Sequence, residues 1–320
     1  MVEWASSDIP DQLDRIFVIT GANSGIGLET TRALSVARAT VVMACRRPDA
    51  GNRAKAAIEA DSRGRLTVLP LDLTDGDSIR RFADDVLDRF GQVDVLINNA
   101  GILAPPQAVT QTGIDQQWAT NHLGHFALTG LLLPGFVERF ARVVSVSSLA
   151  AAGGQPDRMI RSDGSLPLRS RFRWTRKPRQ SYPRMGIYRD TKWANQVFCL
   201  ELNHRLAAEN SPAISVAAHP GVTHTNLTDS SMLGSVLTPA AKAISRRLFQ
   251  SAPDGALPIL RAATDPLVEG GQYYGPGGPG QRSGAPKQIP FLEGVAIRSH
   301  GRELWERSMT LTGVRYLDGS

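Results

Sequence analysis

Cysteine is scarce in this 320-residue chain, which holds only two, Cys45 and Cys199. Two cysteines cannot form a disulfide framework. Both fall in apolar segments, so buried reduced thiols are expected rather than a bridge. No run of 18 apolar residues occurs, which excludes a membrane-spanning helix. The opening stretch, residues 1–15, is polar and acidic and lacks the apolar core of a signal peptide. Together these features predict a cytoplasmic protein. Clusters of metal-ligating residues are also missing. His122 and His125 stand three apart, but no acidic or cysteine partner lies near them, so no metal is expected.

What the chain does have is ordinary for a globular protein: 42% hydrophobic and 21% charged residues. It is long enough to bury a sizeable core, as one large α/β domain or two ordinary ones. The net charge of +6 is unevenly spread. Residues 155–186 hold nine Arg/Lys against two Asp, a local +7, and the remaining residues sum to about −1.

The chain alternates short apolar strands with helical stretches. Predicted strands cover 16–20, 40–45, 66–73, 93–97, 142–146 and 214–218. Predicted helices cover 28–36, 51–62, 77–90, 113–133 and 187–206. Six strands in alternation with helices predict a doubly wound, mostly parallel sheet, the Rossmann type of α/β fold. A Gly/Pro-rich region, 270–284, reads as a last edge strand followed by turns.

The polar motifs fall at the carboxyl ends of these strands, where open α/β sheets bind ligands. The first strand feeds Gly21-Ala-Asn-Ser24-Gly25-Ile26-Gly27 and then a helix. This context suits a turn that brings backbone close to a pyrophosphate. The second strand ends in Arg46-Arg47, with no acidic residue at its end. An acidic residue there would hold a ribose 2′-hydroxyl, whereas arginine accommodates a 2′-phosphate, so the pair points to NADP rather than NAD. A solvated arginine pair is the alternative.

Further along, Tyr188 and Lys192 are four residues apart. On a helix they share one face, which places a cation beside a phenol and is expected to lower its pKa towards a useful acid/base value. Alone the spacing is weak, with a chance occurrence of roughly 8%. Asp190, between them, is expected to point away as a surface charge.

Taken together, Thr20-Gly-x3-Gly-Ile-Gly27, Asp72, Asn98-Asn-Ala-Gly101, Asn121, Ser148, Tyr188-x3-Lys192 and Pro220-Gly-x3-Thr225 resemble, in order, the motif set of the short-chain dehydrogenases/reductases. The resemblance covers about residues 12–230. Finer features resemble the branch of the retinol dehydrogenases and the light-dependent protochlorophyllide reductases. These are Ala44-Cys-Arg46, Thr120-Asn-His-Leu-Gly-His-Phe126, Tyr-Arg-Asp-Thr-Lys192 and the tail from Leu304 to Val314. Val222 stands where the light-dependent enzymes carry cysteine, which argues against light-driven chemistry.

The resemblance implies roles. Tyr188 would be the acid/base, and Lys192 would tune it and bind the nicotinamide ribose. Ser148, rather than Ser147, would hold the substrate oxygen, and Asn121 a relay water. Gly21, Ser24, Gly25, Ile26 and Gly27 would meet the pyrophosphate and its neighbours. Asp72 would contact adenine, Asn98 and Gly101 would flank the adenosine ribose, and Thr225 would lie near the nicotinamide amide, with Leu73, Ala100, Pro220 and Gly221 as further cofactor-binding residues. Residues 226–250 would form a helical substrate flap, and 253–320 a C-terminal extension of the same domain.

The family's compact members have far fewer than the forty residues that separate Ser148 from Tyr188 here. The surplus is the basic insertion 155–186, which must leave and return near the site. It reads as a solvated loop, as a steering surface for an anionic substrate, or as a contact for nucleic acid or an acidic membrane surface. The reading that emerges is a single-domain NADP(H)-dependent oxidoreductase acting on a small-molecule carbonyl or alcohol, mainly apolar. It is a monomer or a homo-oligomer. The competing class is a cofactor-binding regulatory or scaffold protein of the same fold without turnover. A nucleotide-sugar epimerase fits poorly because its glycine spacing differs.

Overall fold

The computed structural model describes residues 3–137, 141–154, 182–223 and 250–319. Its centre is one eight-stranded sheet in the order β3-β2-β1-β4-β5-β6-β7-β8. The strands are β1 (Ile16–Thr20), β2 (Thr40–Cys45), β3 (Arg65–Pro70), β4 (Val95–Asn98), β5 (Arg142–Val146), β6 (Ile214–Ala218), β7 (Tyr273–Pro276) and β8 (Pro286–Gln288). All pairings are parallel except β7 with β8. The strand order reverses beside β1, whose Val18 lies between Val42 of β2 and Leu96 of β4. A doubly wound sheet opens its ligand crevice at that reversal.

Helices cover both faces: α1 (Gly25–Val36), α2 (Pro48–Glu59), α3 (Gly76–Phe90), the short α4 (Gln116–Trp118), α5 (Gly124–Leu132), α6 (Arg184–Ala208), α7 (Ala252–Thr264) and α8 (Arg298–Thr312). Successive strand residues point to opposite faces, so β1 divides its side chains between two cores. Val18 joins Phe126, Phe198 and Trp305 on one face, and Phe17 and Ile19 join Val41, Ile97 and Ile259 on the other. Each such fully buried side chain stabilises the fold by roughly 1.5–3 kcal/mol. Burial on both faces is why the strands read as continuous apolar runs.

Several expectations need correction. Region 270–284 supplies β7, which is not an edge: β8 pairs beyond it and forms the sheet border. The expected strand 66–73 ends at Pro70, which leaves Asp72 and Leu73 in the following loop. The single helix expected over 113–133 is broken. It starts at α4, widens into a π-helical turn, Ala119–Leu123, and continues as α5. The helix carrying Tyr188 begins three residues earlier than expected, after Pro183. Asp190 is buried at 3% exposure rather than a surface charge, because α6 packs against neighbours on nearly every side.

Both cysteines are free and buried. Burial pushes the Cys45 thiol up to about 11 and the Cys199 thiol up to about 12. Among the described residues no helix is long and apolar enough to cross a membrane, and no metal-holding group occurs.

Candidate active site

A cleft of ≈ 560 Å³ lies along the carboxyl ends of β1, β2, β4, β5 and β6. Its volume is within the range of small-molecule and cofactor sites. Of the residues singled out from the sequence, Gly21, Ser24, Gly25, Ile26, Gly27, Arg46, Arg47, Asp72, Leu73, Ala100, Gly101, Ser148, Tyr188, Lys192, Pro220 and Gly221 line it. Thr225 and the flap up to residue 249 lie outside the described residues, as does the basic insertion from 155 to 181.

The floor of the cleft is the glycine turn. Gly21 and Gly25 have φ of +66° and +53°, a region that favours glycine. A Cβ on Gly27 would sit 2.3 Å from the Gly21 carbonyl oxygen and 2.6 Å from Asn99 Nδ2. Among the described residues no side chain caps the start of α1, so its first N–H groups suit an anion. The Thr20 hydroxyl accepts both the Asn99 and the Ala100 N–H at 2.9 Å. Asn99 Nδ2 donates to the Thr20 carbonyl at 2.7 Å. These bonds hold the end of β4 against the turn.

Asn98 is not a cleft residue. It is buried, and its amide donates to Thr129 Oγ1 at 3.1 Å. The neighbouring Asn99 lines the cleft instead. The doubled asparagine marked the place, but alternation along β4 decides which one faces it. Asn23, Thr120 and Met185 also line the cleft and were missed. Asn23 sits inside the glycine turn, so its position could have been read. Met185 lies in the basic insertion, where no local pattern marks a lining residue.

Asp72 Oδ1 accepts from the Thr74 amide and hydroxyl at 2.9 and 2.7 Å, closing a tight turn at the cleft wall. Arg46 and Arg47 are exposed at the end of β2, and neither forms an ion pair among the described residues.

At the other end, α6 presents Tyr188 and Lys192. Lys192 is 4% exposed and donates from Nζ to the Val146 carbonyl at 3.0 Å. Its Nζ lies 6.0 Å from the Tyr188 ring centroid. A Cβ on Gly101 would be 3.4 Å from both Lys192 Nζ and Asn121 Oδ1, so these two groups converge on one backbone position. Asn121 does not line the cleft itself. It lies in the π turn, where its Oδ1 accepts from the Ile102 N–H at 2.8 Å and its Nδ2 donates to the Ile102 carbonyl and Thr191 Oγ1, both at 3.1 Å.

Ser147 and Ser148 part company. Ser147 is buried and donates to the Lys192 carbonyl at 2.8 Å. Ser148 lines the cleft and hydrogen-bonds Tyr188.

The expected lowering of the Tyr188 pKa by Lys192 is not found in the protein alone. Burial raises it, and only the Ser148 hydrogen bond opposes that. Burial also pushes Lys192 down to about 8. Desolvation outweighs attraction here because the ammonium is turned towards the Val146 carbonyl. The phenol is therefore held protonated, in the state of a proton donor.

His122 and His125 are buried and hydrogen-bonded. His122 meets Ser308 Oγ at 3.0 Å and Asn195 Oδ1 at 3.4 Å. Burial drives them to about 4 and about 3 respectively, so both are neutral.

Two further features border the site. A second cavity of ≈ 390 Å³ shares Ser148 and Leu149 with the cleft and is walled by Ala152, Phe291 and Leu292. The described end of the insertion returns at Tyr182, whose hydroxyl donates to Asp115 and accepts from Gln117 Nε2 at 3.1 Å. Burial raises the Asp115 carboxyl from its ordinary value, against the hydrogen bonds from Tyr182, Trp118 and Gln117.

A doubly wound sheet with a glycine turn at its reversal point defines the class of Rossmann-fold dinucleotide-binding proteins. The chain belongs to the short-chain dehydrogenase/reductase family, in its retinol dehydrogenase-like branch, and is an oxidoreductase of that family. The short chain dehydrogenase family model matches residues 15–160. Human retinol dehydrogenase 14 is 33% identical over 315 residues, covering 93% of this chain and 86% of its own. Mouse polyprenol dehydrogenase is 32% identical over 314 residues, covering 96% and 86%. Among solved structures, an uncharacterized protein from Mycobacterium paratuberculosis is 37% identical, with a TM-score of 0.77 over 98% of this chain and 99% of that one. A short chain dehydrogenase from Shigella flexneri, complexed with NADP, shares the fold at 19% identity and a TM-score of 0.61, over 83% of this chain and 98% of that one.

Proposed function

We propose that the protein is an NADP(H)-dependent oxidoreductase that interconverts a carbonyl and an alcohol on a mainly apolar substrate. The observation that carries this reading is one continuous cleft. It joins the glycine turn and the Arg46–Arg47 pair at one end to Tyr188, Ser148 and Lys192 at the other. The residues suit the cofactor. The crowding at Gly27 and the start of α1 make a cradle for a pyrophosphate, and two guanidinium groups without an ion pair among the described residues suit a 2′-phosphate. NADPH supplies the hydride when bound.

The protein's own residues handle the proton and the charge. Tyr188, kept as phenol by burial, gives its proton to the substrate oxygen as negative charge grows there. Ser148 donates a hydrogen bond to the same oxygen. Lys192 supplies positive charge near the phenol and holds the nicotinamide ribose. Asn121 fixes the backbone behind Lys192. In oxidation the same groups run in reverse. The second cavity, opening beside Ser148, offers apolar walls for the rest of the substrate. The relatives' names denote enzymes of retinol and polyprenol, which fits an apolar alcohol.

The cofactor preference gives the test. Wild-type kcat/KM should be at least about tenfold higher with NADPH than with NADH, and Arg46→Ala/Arg47→Ala should remove most of that preference by raising KM for NADPH, since each charge-assisted hydrogen bond contributes about 1.5–3 kcal/mol. An NADH preference in wild type, or an unchanged ratio in the double variant, would contradict the assignment.

A further inference from the structure

His125 lies outside the cleft yet touches both halves of the site. Its Nε2 is 2.9 Å from the Thr20 hydroxyl and its Nδ1 is 3.2 Å from the main-chain carbonyl of Asn121. The proton positions follow from counting. Thr20 Oγ1 already accepts two N–H groups, from Asn99 and Ala100, so it has no lone pair left for an Nε2–H. Its single hydrogen must go to an acceptor. The Ile97 carbonyl stands at 3.4 Å, and His125 Nε2 is closer. Nε2 therefore accepts, Nδ1 carries the proton, and that proton is donated to the Asn121 carbonyl. Full burial keeps the ring neutral, which this arrangement requires.

We propose that His125 is a positioning residue that locks the π turn carrying Asn121 to the Thr20 knot under the cofactor turn. One nitrogen serves each half. The Nε2 contact orients the hydroxyl that holds Asn99 and Ala100, two residues of the cofactor cleft. The Nδ1 contact fixes the Asn121 backbone. From there the Asn121 side chain holds Ile102, and its Oδ1 shares the surroundings of Gly101 with Lys192 Nζ. The widened turn gives a reason for the device. A π turn displaces its backbone from the regular helical ladder, and a donor reaching the Asn121 carbonyl from the side chain four residues on holds it in place. The inference rests on the proposed NADP(H)-dependent reaction and deepens it.

Because the two nitrogens serve different ends, two amide substitutions separate them. The Asn amide nitrogen falls where Nδ1 was, and the Gln amide falls where Nε2 was. His125→Asn should keep kcat within about twofold of wild type, with decanal as substrate, while weakening NADPH binding about tenfold. His125→Gln should do the reverse, with kcat down about tenfold and the NADPH Kd near wild type, since small misplacements of catalytic groups cost this much or more. His125→Leu should lose both. The Kd is read from cofactor fluorescence and needs no turnover. A wild type that binds NADPH but oxidises it with no carbonyl would defeat the proposed reaction and leave the affinity half of the split standing. Asn and Gln variants that match wild type in both parameters would overturn the positioning role. So would parallel losses of both parameters tracking a lower melting temperature, because that is the signature of a merely structural histidine.

Discussion

Tyr188→Phe is expected to lower kcat for carbonyl reduction about 10³-fold, within the range for loss of a positioned general acid. The NADPH Kd should stay near its wild-type value. The substitution removes one oxygen from a side chain that is 7% exposed and seated on α6. The ring keeps its packing, and the lost contact is the hydrogen bond with Ser148. The loss should therefore fall on kcat rather than on folding. A pH profile sharpens the expectation. Burial holds the Tyr188 phenol protonated and sets Lys192 at about 8. Lys192 carries its charge below that value and loses it above. Wild-type reduction should thus be sustained up to about pH 8 and decline as pH rises further. Unchanged turnover in Tyr188→Phe, measured at saturating NADPH, would contradict the assignment of the acid.

Gly27→Ala is expected to be the most damaging small change in the cofactor cradle. The added Cβ would stand 2.3 Å from the Gly21 carbonyl oxygen, which is backbone and cannot swing away. The turn or the first residues of α1 must move. Overpacking of this kind costs about 1–3 kcal/mol of stability. The larger effect should be on the ligand, because the turn is what approaches the pyrophosphate. An NADPH Kd raised about 10²-fold is expected, matching close to 3 kcal/mol of binding energy. Gly76→Ala is the control. Nothing lies within 4 Å of a Cβ there, so neither stability nor affinity should fall. Equal NADPH affinity in Gly27→Ala and wild type, read by fluorescence titration, would show that the turn does not approach the cofactor.

Much of the scaffold was legible because parallel strands buried on both faces must be continuous apolar runs. β1, β2, β5 and β6 span the ranges expected of them, 16–20, 40–45, 142–146 and 214–218. The glycine turn and the Arg46–Arg47 pair were legible for a related reason, since each follows directly on such a strand. What local pattern could not show depends on distant partners. β8, Pro286–Gln288, has no apolar run of its own and exists because it pairs with β7. The π turn has no signature in its residues and becomes visible only through the Ile102 and Thr191 contacts of Asn121. The placement of Asp190 away from the Tyr188–Lys192 face suggests a surface charge, whereas α6 is buried along most of its length. The Tyr188 pKa follows the same burial. Spacing gives the proximity of a lysine, but the balance between its charge and desolvation depends on how deeply both groups are packed.

The central claim is that one cleft binds NADPH and passes its hydride to a carbonyl with Tyr188 supplying the proton. The most direct measurement is a single turnover of the protein with NADPH deuterated at the transferable position of the nicotinamide and an apolar aldehyde such as decanal or retinal, followed by mass analysis of the alcohol. The account predicts deuterium on the carbinol carbon with wild type and almost none with Tyr188→Phe in the same time. Tight NADPH binding with no label transferred to any member of a broad aldehyde and ketone panel would contradict it and favour a cofactor-binding protein without turnover.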